Sequence, residues 1–456
     1  MKKILFLLVS SLLVTACGNV PQAFTAQVPT SGPIQQGEQV SGSNVDQFIR
    51  VIARPPRSDM TAIEVVQGFL DASASFADDH AVAREYLTRP ASEQWDATSK
   101  VVVYEGAPVF AESGLNVQFD AAQAGAIGPD GRYQVGEPGA EFTTTFRVIS
   151  TDEGLRIDEL PDGLVLSQTD VNRAFRSYSL YFFEPSFEIL VPDSRMIPVV
   201  GPGLATTLVR RLLEGPNEWL RPAVRTGFPD GVDLNIDAVL VDAGVAQVDL
   251  DASAQLADDA SRQALSQQLV WTLKQLPDVQ AVNLTAAGQP LFVPGVANPQ
   301  SRDAWPSVDP SGLDADAAAY VASTIGVRQL VEGGTRPVDG QAGTRDPLLA
   351  NIAIAELGAR IAGIDVEGQT WSGALVPEAS LFSLPAVKEP VGLAFDGVDD
   401  LWIVDLSGNL TLYSPTGRSF PIEVGGLASG DVLRAAIPSR DGTRAALLVE
   451  SGPRTD

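Results

Sequence analysis

Cysteine and histidine are almost missing from this chain: each occurs once in 456 residues, as Cys17 and His80. With a single cysteine no intramolecular disulfide can form, so each folded part must be held by its own hydrophobic core. With a single histidine no zinc site built from several histidines and cysteines can form. No Gly-x-Ser-x-Gly turn, Walker motif or dinucleotide fingerprint is present either. The sequence therefore predicts no catalytic residues, no metal site and no cofactor.

Long apolar runs are also missing, except at the N terminus. Outside the first 16 residues no run approaches the length of about 18 that a membrane-spanning helix needs, so no transmembrane helix is predicted. At the start, Lys2 and Lys3 precede a mostly apolar stretch over residues 4–16. This stretch is too short to cross a hydrocarbon core of about 30 Å at about 1.5 Å per residue. Residues 1–16 are instead typical of a secretory signal peptide.

Cys17 directly follows this apolar stretch, in the context Thr15-Ala16-Cys17-Gly18. A small residue before a cysteine at the expected cleavage position resembles the bacterial lipoprotein signal, in which the cysteine is acylated and becomes the new N terminus. We therefore expect a lipid on Cys17 and a protein anchored to the extracytoplasmic face of the cell membrane. The alternative is a free cysteine in an ordinary signal peptide.

Positive charge is scarce, since 57 Asp and Glu residues stand against 31 Lys and Arg residues, a formal net charge of −26. Such a surface is repelled by nucleic acid and by anionic headgroups, so we expect no nucleic-acid partner. The densest positive spot is formed by Arg50, Arg54 and Arg57. These arginines could face an anionic partner surface or a wall polymer. Pairing with the surplus carboxylates of the same chain is the favoured interpretation.

The chain after Cys17 begins with a stalk and an α+β part. Residues 17–44 are rich in Gly, Pro, Ser and Gln and show no period, which predicts a flexible stalk. Thr61 and Glu64 form the capping box of a first helix. Its predicted apolar face comprises Val65, Val66, Phe69, Leu70 and Phe76. A helix over 79–87 and strands over 101–104, 108–110, 141–149 and 155–160 follow. Helices before an antiparallel sheet predict an α+β domain over 45–170.

A second α+β domain is predicted over residues 176–292. Hydrophobic periodicity indicates helices over 204–213 and 255–276, each with a leucine stripe. The predicted strands cover 178–183, 187–191, 233–241, 245–250 and 279–284, so the order is ββαββα and a last strand. Residues 293–317 contain Asn-Pro, Trp-Pro and Asp-Pro pairs and are predicted to be a linker.

The last part, residues 318–456, repeats one plan: an apolar strand, a turn with glycine and a second apolar strand. Segments 352–365, 392–405 and 435–449 share it, with Ile361, Leu401 and Ala445 at equivalent places. Their spacing of about 40–45 residues is typical of β-propeller blades. A propeller needs about four to eight blades, and this part has room for about three. The sequence predicts an all-β, incomplete propeller.

His80 follows Asp78 and Asp79 and could in principle serve a catalytic or metal site. A role at the start of a helix, near two carboxylates, is the favoured interpretation. The acidic residues Asp249 and Asp251 lie where a strand ends, which is typical of turn and cap residues.

Four further aspartates, Asp396, Asp399, Asp400 and Asp405, form a local cluster that could bind calcium. Their spacing does not match that of an EF-hand loop, and aspartate at hairpin turns usually serves the turn itself. The turn role is the favoured interpretation.

Taken together, the order of parts resembles the actinobacterial LpqB lipoprotein family. The resemblance is carried by the lipoprotein signal, the stalk, the C-terminal blades and several segments of the folded parts. These segments are FIRVIARPPR at 48–57, DDHAVAREYLT at 78–88, and SLYFFEP, LVRRLLEGP and LVWTLKQLPDVQAVNLT within 179–285. The middle part is similar to a GerMN domain, and the first to the nuclear-transport-factor-like superfamily.

This resemblance implies an extracytoplasmic lipoprotein that binds the sensor domain of the Mtr-type two-component histidine kinase and modulates envelope and cell-division signalling. It implies no enzymatic activity and offers no interface residues. Two other functions stay open: binding of a cell-wall polymer such as peptidoglycan, and hydrolysis by carboxylates alone. The latter requires two acids that converge in one cleft.

Overall fold

The computed structural model describes residues 53–199, 203–311, 318–355, 358–384 and 387–452. The predicted signal peptide, Cys17, the stalk and Arg50 lie outside these residues. No helix within them is long and apolar enough to cross a membrane.

The first region opens with the helix that the capping box predicts. This helix, α1, spans Ala62–Ser73. The Thr61 amide donates to Glu64 Oε2 at 2.7 Å and the Glu64 amide donates to Thr61 Oγ1 at 3.3 Å, so both halves of the box are present. Val65, Val66 and Phe69 are buried, which confirms the predicted apolar face.

The predicted helix over 79–87 is shorter in the structure. Only Ala81–Arg84 is helical (α2), because Asp78, Asp79 and His80 have positive φ angles of 48–58°, which a right-handed helix does not allow. A further helix, α3, spans Arg89–Gln94 and is capped by Thr88. The segment still buries Tyr86 and Leu87.

These helices pack on one mixed sheet. Its order is β5-β4-β2-β1-β6, with β3 beside β2; β1 and β6 are parallel and the other pairs antiparallel. Phe119, Phe146 and Ile157 are fully buried in the core that the sheet and the helices form. The strands are β1 Val101–Ser113, β2 Asn116–Ile127, β3 Tyr133–Val135, β4 Glu141–Thr151, β5 Gly154–Glu159 and β6 Leu164–Ser167. The two strands predicted at 101–104 and 108–110 are one strand with a register shift between Glu105 and Val109. Helix α4, Gln168–Ala174, ends the region.

The second region is also α+β. A hairpin, β7 and β8, is followed by helix α5, Leu204–Leu213, whose bounds are those predicted. Helix α6, Asp259–Leu273, packs on a sheet in which β10 and β11 are parallel. The strands are β7 Phe175–Phe183, β8 Leu190–Pro198, β9 Leu240–Asp242, β10 Val245–Leu250, β11 Ala281–Ala286, β12 Gln289–Pro290 and β13 Gln300–Ser301. Strand β9 is much shorter than the predicted 233–241.

Much of the predicted linker packs against this second region. Trp305 and Val308 contact its core. The Trp305 indole N–H donates to Ser266 Oγ at 3.1 Å, and the Trp271 indole N–H donates to the Trp305 carbonyl at 2.9 Å. The X-Pro pairs therefore lie in a packed segment up to residue 311, which contains strand β13 and a short 3-10 helix over Pro306–Val308. Residues 312–317 lie outside the described residues.

The third region consists of small antiparallel sheets. Sheets β14-β15-β16, β17-β18-β19-β20, β21-β22-β23-β24 and β25-β26 follow one another along the chain. The strands are β14 Tyr320–Ser323, β15 Gly326–Val331, β16 Gly334–Pro337, β17 Leu349–Ile354, β18 Arg360–Asp365, β19 Thr370–Ala374, β20 Phe382–Ser383, β21 Pro390–Phe395, β22 Leu401–Asp405, β23 Leu410–Tyr413, β24 Ser419–Ile422, β25 Val432–Pro438 and β26 Ala445–Glu450. Each of the three repeated segments is an antiparallel hairpin, as predicted. Ile361 and Leu401 are buried, whereas Ala445 is exposed on a sheet of two strands.

Candidate functional site: a charged cleft in the first region

Two of the predicted arginines, Arg54 and Arg57, line a cleft of about 560 Å³ beside helix α1. Arg57 Nε donates to Asp59 Oδ1 at 3.2 Å, and both side chains are mostly exposed. The Arg54 carbonyl accepts a hydrogen bond from the Tyr86 hydroxyl at 2.9 Å, which fixes the chain at the rim. Intramolecular pairing, the favoured interpretation, thus describes Arg57, although both arginines also face the cleft.

Helices α1 and α4 supply the walls of this cleft. Glu64, Gly68 and Asp71 lie on one face of α1, because residues three and four apart are neighbours on a helix. The Tyr86 ring lies directly against Gly68: a Cβ there would be 2.6 Å from the Tyr86 hydroxyl, so this position requires glycine. Helix α4 contributes Asp170, and sequence reasoning missed this helix.

Asp170 is held by its own helix. The Ser167 hydroxyl donates to Asp170 Oδ2 at 2.6 Å, and the Asp170 amide donates back to Ser167 Oγ at 3.1 Å. Arg173 forms an ion pair with the other oxygen of Asp170. Asp170 therefore already has a counter-ion, Arg173, on its own helix.

Asp71 has a different environment. In the described part of the chain no hydrogen bond or ion pair to its carboxylate is found. Burial, and then the nearby charge of Asp170, raise the pKa of Asp71. Burial, and then the charge of Asp71, likewise raise the pKa of the Tyr86 hydroxyl. Asp71 thus has no ion-pair partner among the described residues, and a cation from outside would stabilise its ionised form.

Two acids in one cleft are also what hydrolysis by carboxylates requires. Asp71 has a raised pKa and Asp170 is paired with Arg173, so their environments differ, as those of an acid and a base do. The hypothesis of hydrolysis by carboxylates alone can therefore be tested at this cleft.

His80 lies elsewhere, in the hydrophobic core. Its side chain is 6% exposed, and its ring contacts Phe76 at 4.8 Å and Trp95 at 5.9 Å between centroids. Burial lowers its pKa, against the smaller opposing effect of Asp79. Asp79 itself pairs with Arg84 at 2.8 Å. The residue precedes α2, as predicted, but packs as a core residue.

A pH-dependent stability follows from this burial. Because folding lowers the pKa of His80, the unfolded chain takes up a proton at a higher pH than the folded protein does. Neutral His80 therefore contributes fully to the free energy of unfolding above about pH 6.5, the ordinary pKa of histidine. This contribution is lost as the pH falls through the lowered pKa of the folded state. His80→Asn keeps a residue that tolerates positive φ but does not titrate. At pH 7 we expect a loss of about 0.5–1.5 kcal/mol from the missing ring contacts. Calorimetry at pH 7 and pH 5 should show a smaller fall in melting temperature for the variant than for the wild type. An equal fall would contradict the argument.

Two members of the predicted acidic cluster, Asp396 and Asp405, serve turns through their carboxylates. Asp396 Oδ1 accepts from the amides of Val398 and Asp400, and Oδ2 accepts from the Trp402 indole at 2.9 Å. Asp405 accepts from the amide and the side chain of Asn409. Among the described residues no group of three or more His, Cys, Asp or Glu side chains is placed to hold a metal ion.

The other two aspartates also have structural contacts. Asp251 caps a short 3-10 helix and accepts from the Ser253 amide at 2.8 Å, as predicted. Asp249 Oδ1 accepts from Thr285 Oγ1 at 2.6 Å and from the Gly288 amide at 2.9 Å, so it links β10 to β11.

Comparison with known protein families gives two matches. Residues 55–172 match the family model described as the N-terminal domain of lipoprotein LpqB. Residues 179–292 match the model called Germane, described as sporulation and spore germination.

Several curated relatives are named lipoprotein LpqB. The relative from Thermobifida fusca is 33% identical over 416 residues, which is 87% of this chain and 66% of the relative. The relative from Mycolicibacterium smegmatis is 27% identical and covers 99% of this chain and 79% of its own length. That from Cutibacterium acnes is 30% identical over 65% of this chain and 48% of its own length. The chain thus spans about half to four fifths of the length of these relatives, and just under two thirds of the Thermobifida protein.

Among solved structures, the tandem GerMN domains of the sporulation protein GerM from Bacillus subtilis are 20% identical. The match covers 34% of this chain and 56% of the GerM chain, with a TM-score of 0.25. The first GerMN domain of the same protein is 22% identical over 28% of this chain and 98% of that one, with a TM-score of 0.23.

Proposed function

This chain belongs to the lipoprotein LpqB family, and we propose that it is a lipid-anchored extracytoplasmic protein that acts by binding and not by chemistry. Its proposed partner is the extracellular domain of a two-component sensor histidine kinase of the Mtr type, whose signalling it modulates. The anchor is a lipid on Cys17. Relatives that match most of this chain are named lipoproteins, which supports the anchor.

The proposed architecture has three domains behind the stalk, over 45–170, 176–292 and 318–456. For the first, helix α1 packed on a bulged, mostly antiparallel sheet supports a nuclear-transport-factor-like fold. For the last, two successive four-stranded antiparallel sheets support propeller blades. Arg360 Nη1 donates to the Asp399 carbonyl at 2.9 Å and so ties one sheet to the next, as neighbouring blades would be.

The observation that carries the binding proposal is the unpaired Asp71 carboxylate in the open cleft. An acidic protein that presents such a group favours a basic patch on its partner, because a lysine or arginine would supply the missing counter-ion. Binding alone would not change the activity of a kinase with two states. The lipoprotein must have different affinities for these states.

A charge reversal in the cleft tests this proposal. The kinase and the lipoprotein are reconstituted together in vesicles, and autophosphorylation is followed at fixed lipid composition. We expect Asp71→Lys to reduce the effect of the lipoprotein at least about tenfold, which corresponds to about 1.4 kcal/mol of binding. The control is Glu367→Lys, an exposed residue of the third region that changes the net charge equally.

Three results would count against the proposal. One is an autophosphorylation rate that does not respond to the wild-type lipoprotein. Another is an equal loss in both variants, which would assign the effect to net charge and not to the cleft. The third is release of soluble fragments from purified peptidoglycan by the wild type but not by Asp71→Asn, which would favour the hydrolase alternative.

A further inference from the structure

A second cleft, of about 240 Å³, lies where the three regions meet. The loop before β3 contributes Arg132, strand β8 contributes Arg195, and the β25–β26 turn contributes Arg444. We call this the junction cleft. Its residues are separate from those of the cleft beside α1.

Hydrogen bonds hold the three regions together at this place. The Met196 amide donates to the Gly131 carbonyl at 2.7 Å, and Arg195 Nη1 donates to the Asp130 carbonyl. Arg444 Nη1 donates to the Pro192 carbonyl at 3.0 Å, which joins the third region to the second. The cleft is therefore built by fixed backbone and not by one mobile loop.

The junction cleft carries a surplus positive charge at Arg132. Three guanidinium groups line it; Arg195 is bound to Asp193 at 2.6 Å and Arg444 to Asp441 at 3.1 Å, whereas Arg132 has no carboxylate partner in the described part of the chain. Asp193 is also saturated by Asn217, whose amide and side chain both donate to it.

Donors remain unsatisfied in this cleft. Arg195 is 3% exposed, and its Nε has no acceptor in the described part of the chain. Leaving a buried donor unpaired destabilises the folded protein, so an acceptor supplied from outside would recover part of this loss. Arg132 stacks on the Trp219 ring at 5.2 Å, and no hydrogen bond from its guanidinium to a described residue is found. Arginine forks are suited to bind the paired oxygens of phosphate and carboxylate groups.

Trp219 adds an apolar surface. It is 56% exposed, although large aromatic side chains are usually buried. An indole next to arginines can stack on the apolar face of a sugar ring while the guanidinium groups hold the attached anion. Ligand pockets for drug-sized molecules measure about 300–1,000 Å³, so a cleft of about 240 Å³ fits one smaller group.

From these observations we propose that the junction cleft binds an oxyanion carried on a sugar, either a phosphate ester or a carboxylate. Because its walls come from three regions, the ligand would also hold these regions in one arrangement. This inference does not depend on kinase binding.

Titration calorimetry of the purified full-length lipoprotein in detergent tests it. The probes are glucose 1-phosphate, glucuronate, glucose and inorganic phosphate, and the melting temperature is followed in parallel. We expect the two anionic sugars to bind and to raise the melting temperature, and glucose to do neither.

Arg132→Gln, which removes no hydrogen bond within the described protein, should weaken binding at least tenfold. Trp219→Leu should weaken the binding of glucose 1-phosphate more than the binding of inorganic phosphate. Arg418→Gln, at an exposed turn of the third region, is the control and should bind as the wild type does.

The proposal is overturned if neither anionic sugar binds at about 10 mM, a concentration at which a ligand with a Kd of about 1 mM would occupy most of the sites. It is also overturned if Arg132→Gln and Arg418→Gln bind equally well. Inorganic phosphate that binds as tightly as glucose 1-phosphate would refute the recognition of the sugar.

Discussion

Asp193→Ala is expected to destabilise the second region by about 3–5 kcal/mol, because it leaves the buried Arg195 guanidinium without its counter-ion. The Asp193 and Arg195 side chains are 1% and 3% exposed, and Arg195 Nη2 lies 2.6 Å from Asp193 Oδ2. The variant also removes the acceptor for both donors of Asn217. Urea unfolding of the purified protein measures the loss.

Two controls separate this effect from a simple loss of contact. Glu93→Ala breaks the pair with Arg89, in which both side chains are mostly exposed, and should cost less than about 1 kcal/mol. The double variant Asp193→Leu with Arg195→Met removes both charges and should be more stable than Asp193→Ala alone. If Asp193→Ala and Glu93→Ala lower the free energy of unfolding by the same amount, the buried pair contributes no more to stability than an exposed pair, which contradicts the prediction.

Cys17→Ser is expected to move the protein from the membrane fraction to the soluble fraction. Each buried CH₂ of an acyl chain contributes about 0.8 kcal/mol, so two or more chains anchor a protein stably and their loss releases it. Cell fractionation with a high-salt wash measures this. Thr15→Ser, which keeps the cysteine and a small residue before it, is the control and should stay in the membrane pellet. A Cys17→Ser protein that also stays there would exclude the lipid as the anchor.

The sequence predicts best where the signal is local. The Thr61–Glu64 capping box locates the start of α1, and the leucine stripe locates both ends of α5. The repeated hairpins of the third region are likewise visible, because apolar strands and glycine turns recur at a fixed spacing. In these cases the residues that determine the element lie within it.

Other elements were missed for physical reasons. Strand β2 is rich in Ala and Gln, and only the alternation of Val117, Phe119 and Ala121 indicates its buried face. Helix α2 is cut short by three left-handed residues, Asp78, Asp79 and His80, whose types are enriched in that region but only weakly predict it. The segment up to residue 311 has the composition of a linker but packs through Trp305.

The sites show the same limit. The arginines at the cleft beside α1 are close together in the sequence and were identified as a positive spot. The cleft also needs Asp170, which lies about a hundred residues further on. The junction cleft joins Arg132, Arg195 and Arg444, which only the tertiary structure brings together.

Binding between the purified lipoprotein and the extracellular domain of the kinase tests the central proposal most directly. An acidic protein that meets a basic patch should associate at a rate that falls as salt rises, because ions screen the attraction. We predict a complex at low salt whose association rate decreases with salt and whose affinity drops at least about tenfold for Asp71→Lys but not for Glu367→Lys. No detectable complex at low salt would contradict the account and favour binding of a wall polymer.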